Sequence, residues 1–158
     1  MKLLWISAFL AFALDQLSKY VVIHMMGING SRTMDVLPPI IRFSYGENRG
    51  INFGLFSGSL PVWVLAALAI VICLLVLVWA WRVPQPPLAN MGAGFLIGGA
   101  LGNVLDRFIY GYVLDFLNTS CCGLNNPTVY NVGDIFIFVG AISLVIFGQE
   151  DKPRKKGA

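Results

Sequence analysis

The chain has 158 residues, of which 57% are hydrophobic and 12% are charged, with a formal net charge of +3. Its mean hydropathy is +0.74. A soluble domain carries charge on about a quarter of its residues, so this composition excludes an ordinary soluble protein. It also shows no basic stripe of the kind that would predict a nucleic-acid partner. The composition therefore indicates an all-α membrane protein surrounded by membrane lipids.

Four apolar segments follow in chain order, each near the roughly 20 residues that a membrane-spanning helix needs. The first could be a cleaved signal peptide, because Ala11-Phe12-Ala13 fits a cleavage pattern. The apolar stretch before that site is short, so we expect a retained helix. We predict one membrane domain, 1–158, with four transmembrane helices over residues 3–25, 61–81, 88–105 and 132–147.

The basic residues predict the orientation of these helices. Six of the eleven lysines and arginines precede the first span, separate the second from the third or follow the fourth: Lys2, Arg82, Lys152, Arg154, Lys155 and Lys156. The positive-inside rule places all three regions in the cytoplasm. Both termini are then expected to be cytoplasmic, with a tail over 149–158, and the outer segments cover about 27–60 and 106–131.

With this orientation, the unusual polar residues gather near the outer ends of the spans. Asp15 and Lys19 are four apart, so they share a helix face and can pair. Asp115 is expected in the outer loop and Asp134 at the start of the fourth span. The outer end of the third span adds Asn103, Asp106 and Arg107. Charged groups at membrane depth face the interior of a bundle, so this convergence predicts a functional site.

Structural roles remain open for several of these residues. Asp15 with Lys19, and Asp106 with Arg107, could be ion pairs that fix helix packing. Asp134 could be a first-turn carboxylate that stabilises a helix N-terminus. Gly94, Gly98 and Gly102 have small-xxx-small spacing, which predicts close helix packing.

Two carboxyl groups held close together share one proton, so one can activate a water while the other protonates a peptide carbonyl. Other nucleophiles lack an evident base partner. Cys73 lies in an apolar run and is expected to be lipid-facing or packed. Cys121, Cys122 and His24 have no zinc-site spacing. The sequence thus predicts no metal and no cofactor, and an aspartate pair if the protein is a hydrolase.

Five segments carry recognisable motifs, in the order Asp15–Lys19 (DQLSK), Asn48–Gly54 (NRGINFG), Gly98–Arg107 (GGALGNVLDR), Val113–Phe116 (VLDF) and Asn131–Asp134 (NVGD). They resemble the motifs of the lipoprotein signal peptidases (signal peptidase II), which are aspartic peptidases of the bacterial inner membrane. The similarity extends over nearly the whole chain.

The resemblance implies that Asp115 and Asp134 are catalytic. It assigns support of the site or substrate contact to eight further positions: Asp15, Lys19, Asn48, Gly50, Asn103, Asp106, Arg107 and Asn131. The implied reaction removes the signal peptide from a diacylglyceryl-modified prolipoprotein, just before the lipidated cysteine and on the outer side of the membrane. The family is inhibited by globomycin and has an extracytoplasmic β-like cradle, here expected in residues 36–55.

Two positions depart from the family pattern, because Asn52 and Gly133 stand where alanine is usual. Asn52 adds a polar group to an apolar wall, and Gly133 is expected to free the backbone beside Asp134. Two rival functions stay open. One is a proton- or ion-coupled transporter, although the polar residues do not continue to the inner side. The other is a relative that binds lipoproteins without cleaving them.

Overall fold

A computed structural model describes residues 1–50, 61–120 and 126–149. Asn52, Cys121, Cys122 and the basic residues of the tail lie outside the described residues. The chain forms mostly helices and one small antiparallel sheet. In chain order the elements are α1 (Lys2–Lys19), a π-helical segment (Tyr20–Met25), β1 (Thr33–Leu37), β2 (Ile41–Asn48), α2 (Val62–Arg82), α3 (Pro87–Tyr110), β3 (Val113–Thr119) and α4 (Val132–Phe147).

Three helical stretches in the described part of the chain are long and apolar enough to cross a membrane: Lys2–Met25, Val62–Arg82 and Pro87–Tyr110. These agree with three of the predicted spans, except that α3 continues five residues past the predicted end at Leu105. The α4 helix coincides with the predicted fourth segment but has only 16 residues. At 1.5 Å per residue it is roughly 24 Å long, somewhat less than a hydrocarbon core.

Helix α3 is the centre of the bundle and packs against α1, α2 and α4. It begins at Pro87, whose missing N–H would be unpaired in a first turn anyway. It ends before Gly111, which has the left-handed φ of 78° common after a helix. The core between the helices consists of small and aliphatic side chains, among them Ala8, Ala93 and buried Cys73. Of the two environments expected for Cys73, lipid-facing or packed, the structure shows the packed one.

Glycines on α3 allow the helices to approach closely, as their spacing predicted. A Cβ placed on Gly98 would collide with the backbone oxygen of Ala8 and stand 2.9 Å from the Ala11 Cβ. A Cβ on Gly94 would collide with Ser7, and one on Gly102 with the Asp15 carboxyl. The glycine repeat thus forms the α1–α3 contact and brings Asp15 against α3.

We expect Gly98→Ala to destabilise the protein by about 1–3 kcal/mol, the usual cost of overpacking. The colliding atom belongs to the α1 backbone, so relief requires the two helices to move apart. The measurement is the thermal unfolding midpoint in detergent. Leu101→Ala is the control, because Leu101 is on the same helix but 40% exposed. Equal midpoints for the two variants would contradict this account of the interface.

The sheet has the strand order β1-β2-β3, with both pairs antiparallel. Strand β3 pairs with β2 through Gly46–Asp115 and Glu47–Leu114. The predicted small β structure is therefore confirmed, but its bounds differ from the expected 36–55. The observed sheet begins at Thr33, and its third strand comes from the segment after α3. Residues 51–55 of the expected cradle lie outside the described residues.

The expected loop position of Asp115 is also wrong, since Asp115 lies within β3. Val113, Leu114 and Phe116 are buried around it, and the last two pack on Ile23 and Ile28 beneath the sheet. A two-stranded hairpin is marginal in water, so a third strand with a buried face stabilises the sheet. Asp115 therefore has a fixed backbone.

Candidate active site

The carboxyl groups of Asp115 and Asp134 reach one place from different elements. Asp115 projects from β3, and Asp134 lies in the first turn of α4. Their residues are only 1% and 8% exposed. Asn131 caps α4 by accepting a hydrogen bond from the Asp134 N–H (2.9 Å), while its own N–H donates to Asp134 Oδ2 (3.3 Å). The same cap therefore fixes both the start of α4 and the Asp134 carboxyl.

Asn131 also holds the second carboxyl. Its Nδ2 donates to Asp115 Oδ1 at 2.6 Å and to Asn103 Oδ1 at 3.1 Å. One asparagine, itself fully buried, thus contacts both aspartates. This arrangement brings together the two residues that the sequence predicted to form a pair.

Each aspartate has a further amide donor from another part of the chain. Asn48, at the end of β2, donates to Asp115 Oδ2 at 3.1 Å. Asn103, on α3, donates to Asp134 Oδ1 at 2.9 Å. Neutral donors orient a carboxylate without bringing a compensating full charge, so the pair keeps its mutual repulsion.

Burial and the repulsion between the two carboxyls change the pKa of Asp115. Burial, and next the negative charge of Asp134, raise the pKa of Asp115 from 3.8 to about 7, although Asn131, Asn48 and Lys19 act in the opposite direction. A carboxyl with a pKa near neutrality can hold or release a proton under physiological conditions. The arrangement is therefore suited to acid–base chemistry with one shared proton.

Behind the aspartates, Lys19 forms two buried ion pairs. Its Nζ lies 2.7 Å from Asp15 Oδ2 and 2.7 Å from Asp106 Oδ2. It also donates to Asn103 Oδ1 at 3.2 Å, which connects the ion pairs to the asparagine network. The Asp15–Lys19 pair is the one that helical spacing predicted.

Arg107 does not pair with Asp106, contrary to the alternative considered from the sequence. Neighbours on a helix point about 100° apart, so Asp106 faces Lys19 while Arg107 turns elsewhere. Its guanidinium donates to the carbonyls of Gly50 (2.8 Å) and Asn103 (3.2 Å). The Gly50 N–H in turn donates to Asn48 Oδ1 at 3.1 Å. The turn after β2 is thereby tied to both Arg107 and Asp115.

All ten predicted site residues are thus joined in one network of hydrogen bonds and ion pairs. The sequence did not point to Gln16 as a site residue, although its Nε2 donates to Asp106 Oδ1 (3.1 Å) and the Gly102 carbonyl (3.3 Å). The feature of the sequence that could have indicated Gln16 is an amide side chain within an apolar helix. Among the described residues, no three His, Cys, Asp or Glu side chains form a group suited to a metal ion.

The backbone at Gly133 is not free, contrary to the expectation from the sequence. Its N–H donates to Asp15 Oδ1 at 2.8 Å, so the backbone beside Asp134 is held. A Cβ at this position would lie 3.0 Å from both Asp15 Oδ1 and Asn131 Oδ1, a tight fit on both sides. The glycine therefore provides space for these two side chains.

An apolar cavity of about 310 Å³ lies between α2 and the α3–α4 pair. Asn103 and Arg107 contribute its polar lining, and the rest is apolar: Leu65, Leu68, Ala69, Ile72, Leu96, Ala100 and Ile137. Along α3 the lining passes from Leu96 and Ala100 to Asn103 and Arg107, so the polar network forms one end of the cavity. Its shape and lining suit an apolar segment with a polar group at one end.

Comparison with known proteins agrees with this geometry. The sequence profile described as signal peptidase (SPase) II matches residues 7–148. A lipoprotein signal peptidase of Trichormus variabilis is 39% identical over 153 residues, which cover 96% of this chain and 92% of the relative. One of Alteromonas mediterranea is 40% identical over 157 residues, covering 96% of this chain and 84% of the relative.

The fold also has counterparts among solved structures. A bacterial membrane enzyme determined by the in meso method has a TM-score of 0.78 and 25% identity, with 89% of this chain and 84% of that chain covered. A second such structure has a TM-score of 0.76 at the same identity. Together with the profile match and the relatives, this shows that the chain is an integral membrane peptidase of the signal peptidase II family.

Proposed function

We propose that this protein removes the signal peptide from diacylglyceryl-modified prolipoproteins by cleaving before the lipidated cysteine. Asp115 and Asp134 are the catalytic residues. The observation that carries the proposal is the contact of Asn131 with both carboxyl groups, at 2.6 Å to Asp115 and through the α4 cap to Asp134. The relatives named lipoprotein signal peptidase supply the substrate class.

The chemistry follows from one proton shared by two carboxyl groups. The ionised aspartate removes a proton from a water molecule, which attacks the scissile carbonyl carbon. The protonated aspartate donates to the carbonyl oxygen, and the tetrahedral intermediate then collapses with proton transfer to the leaving amine. Water is the only added reactant, and no covalent enzyme intermediate forms.

The membrane arrangement follows from the charges and the site. We place the chain in the bacterial inner membrane, with four spans, both termini in the cytoplasm and the sheet and active site on the outer side. Asp134 lies in the first turn of the short α4, so the site lies at the edge of the hydrocarbon, where water is available. The apolar cavity between α2 and α3 then receives the apolar part of the substrate, and Arg107 and Asn103 face its polar end.

The pH dependence gives a direct test. The pKa of about 7 for Asp115 applies when Asp134 is already ionised. At this pKa the pair of carboxyls loses its one remaining proton. The rate of cleavage is therefore expected to stay constant while that proton is bound and to decline as the pH rises through about 7. The measurement is kcat/KM for a lipidated prolipoprotein in liposomes from about pH 5 to about pH 9.

Activity that rises through this range and stays high would contradict a shared proton at the pair. Globomycin, expected to inhibit this protein, serves as the control that the measured cleavage belongs to this site.

A further inference from the structure

The ion pairs behind the catalytic aspartates are among the most buried charges of the protein. Asp15, Lys19 and Asp106 are 0%, 2% and 1% exposed. Lys19 Nζ is the common partner of both carboxyls, at 2.7 Å each. A cavity that Lys19 and Asp106 help to line has a volume of only about 100 Å³, which is too small for a substrate peptide.

Each of these two carboxyls also accepts a backbone N–H next to a catalytic residue. Asp15 Oδ1 accepts from Gly133 N at 2.8 Å, and residue 133 immediately precedes Asp134. Asp106 Oδ2 accepts from Leu114 N at 3.1 Å, and residue 114 immediately precedes Asp115. The same relation therefore occurs twice, once for each aspartate of the pair.

We propose that Asp15, Lys19 and Asp106 form a positioning device that sets the separation of the two catalytic aspartates. Lys19 draws both carboxyls to one nitrogen atom, and each carboxyl holds the amide that precedes one catalytic residue. The start of α4 and the start of β3 are thereby fixed to a common point on α1 and α3. These three residues act on the reaction through Leu114 and Gly133 and are positioning residues.

This inference rests on the proposed aspartate pair and adds what fixes its geometry. Positioning by Asp15, Lys19 and Asp106 differs from a purely electrostatic effect of the Lys19 charge on the catalytic aspartates. An electrostatic role depends on the charges of the group, whereas positioning depends on where the Asp106 oxygen lies. Substitutions at Asp106 can separate the two, because one oxygen, Oδ2, accepts from both Leu114 and Lys19.

The test compares Asp106→Asn with Asp106→Glu in liposomes. Asparagine keeps an oxygen at the same place but loses the charge, whereas glutamate keeps the charge and displaces the oxygen by one methylene. We expect glutamate to lower kcat by about 100-fold with little change in KM, since a shift near 1 Å can cost this much. Asparagine should lower kcat only several-fold, leaving at least a tenfold difference between the variants.

The controls are Asp35→Asn and Asp35→Glu, at an exposed ion pair on β1, which should leave kcat and KM unchanged. Kinetics are compared for protein that is monodisperse and remains folded at the assay temperature, because loss or displacement of the Asp106 carboxylate is itself expected to lower the unfolding midpoint. If the glutamate variant does not fold, Asp106→Ala takes its place, because it removes the acceptor without added volume.

Equal kcat values for the two Asp106 variants, or a more active glutamate variant, would overturn the positioning proposal. Cleavage by the Asp115→Asn variant would instead contradict the proposed catalytic pair itself. An inactive Asp115→Asn together with a fully active Asp106→Glu would therefore overturn only the positioning role.

Discussion

Asp115→Asn and Asp134→Asn should each reduce cleavage of a lipidated prolipoprotein by at least roughly 10²-fold, with the fold preserved. An amide of the same size keeps one of the two acceptor oxygens and therefore one of the two N–H donors that each carboxyl binds. It can neither take a proton from water nor donate one to the substrate carbonyl. Because both carboxyls are buried and repel one another, the loss of one charge should leave the unfolding midpoint unchanged or raise it.

The measurement is a gel-shift assay in liposomes with diacylglyceryl-modified substrate, alongside thermal unfolding in detergent. Asp35→Asn is the matched control, because it removes an exposed carboxylate that pairs with Arg42 outside the site. Wild-type cleavage by either active-site variant would end the aspartate-pair mechanism. A lowered unfolding midpoint would show instead that the carboxyl stabilises the fold.

Lys19→Met should lower the free energy of unfolding by about 3–5 kcal/mol, the usual effect of removing one partner from a buried ion pair. The change leaves Asp15 and Asp106, which are 0% and 1% exposed, without their cation. It also releases Asn103, which loses a hydrogen bond from Lys19 Nζ. Both α1–α3 packing and the asparagine network should loosen.

Arg42→Met is the matched control for this change, since it also replaces a paired cation with methionine. The side chains of Arg42 and Asp35 are 54% and 51% exposed, so the cost there should be about 0–1 kcal/mol. The two variants are compared by thermal unfolding in detergent. Equal midpoints would show that the buried ion pairs do not stabilise this fold.

Sequence and structure agree most closely where a local pattern determines the outcome. Val62–Arg82 is apolar along its length, and this alone marks a span. The Asp15–Lys19 pair follows from helical spacing, and the glycine repeat of α3 follows from the need for a close helix contact. These features depend on residues a few positions apart.

The features that sequence reasoning missed depend on distant parts of the chain. The predicted topology places Asp115 in an outer loop, whereas its strand forms by pairing with β2, about seventy positions earlier in the chain. The partner of Asp106 is Lys19 on another helix, which spacing within α3 cannot reveal. Likewise, the apolar run predicts that the third span ends at Leu105. Helix α3 continues to Tyr110, because Lys19 and the turn after β2 provide partners for Asp106 and Arg107.

The most direct test of the central claim is identification of the cleavage product by mass spectrometry. Purified protein in liposomes is given a prolipoprotein with diacylglycerol on its cysteine, and the same substrate without the lipid. We predict one cut in the lipidated substrate, with a product that begins at the modified cysteine. Cleavage at another bond, or proton-coupled uptake without any cleavage, would contradict the assignment.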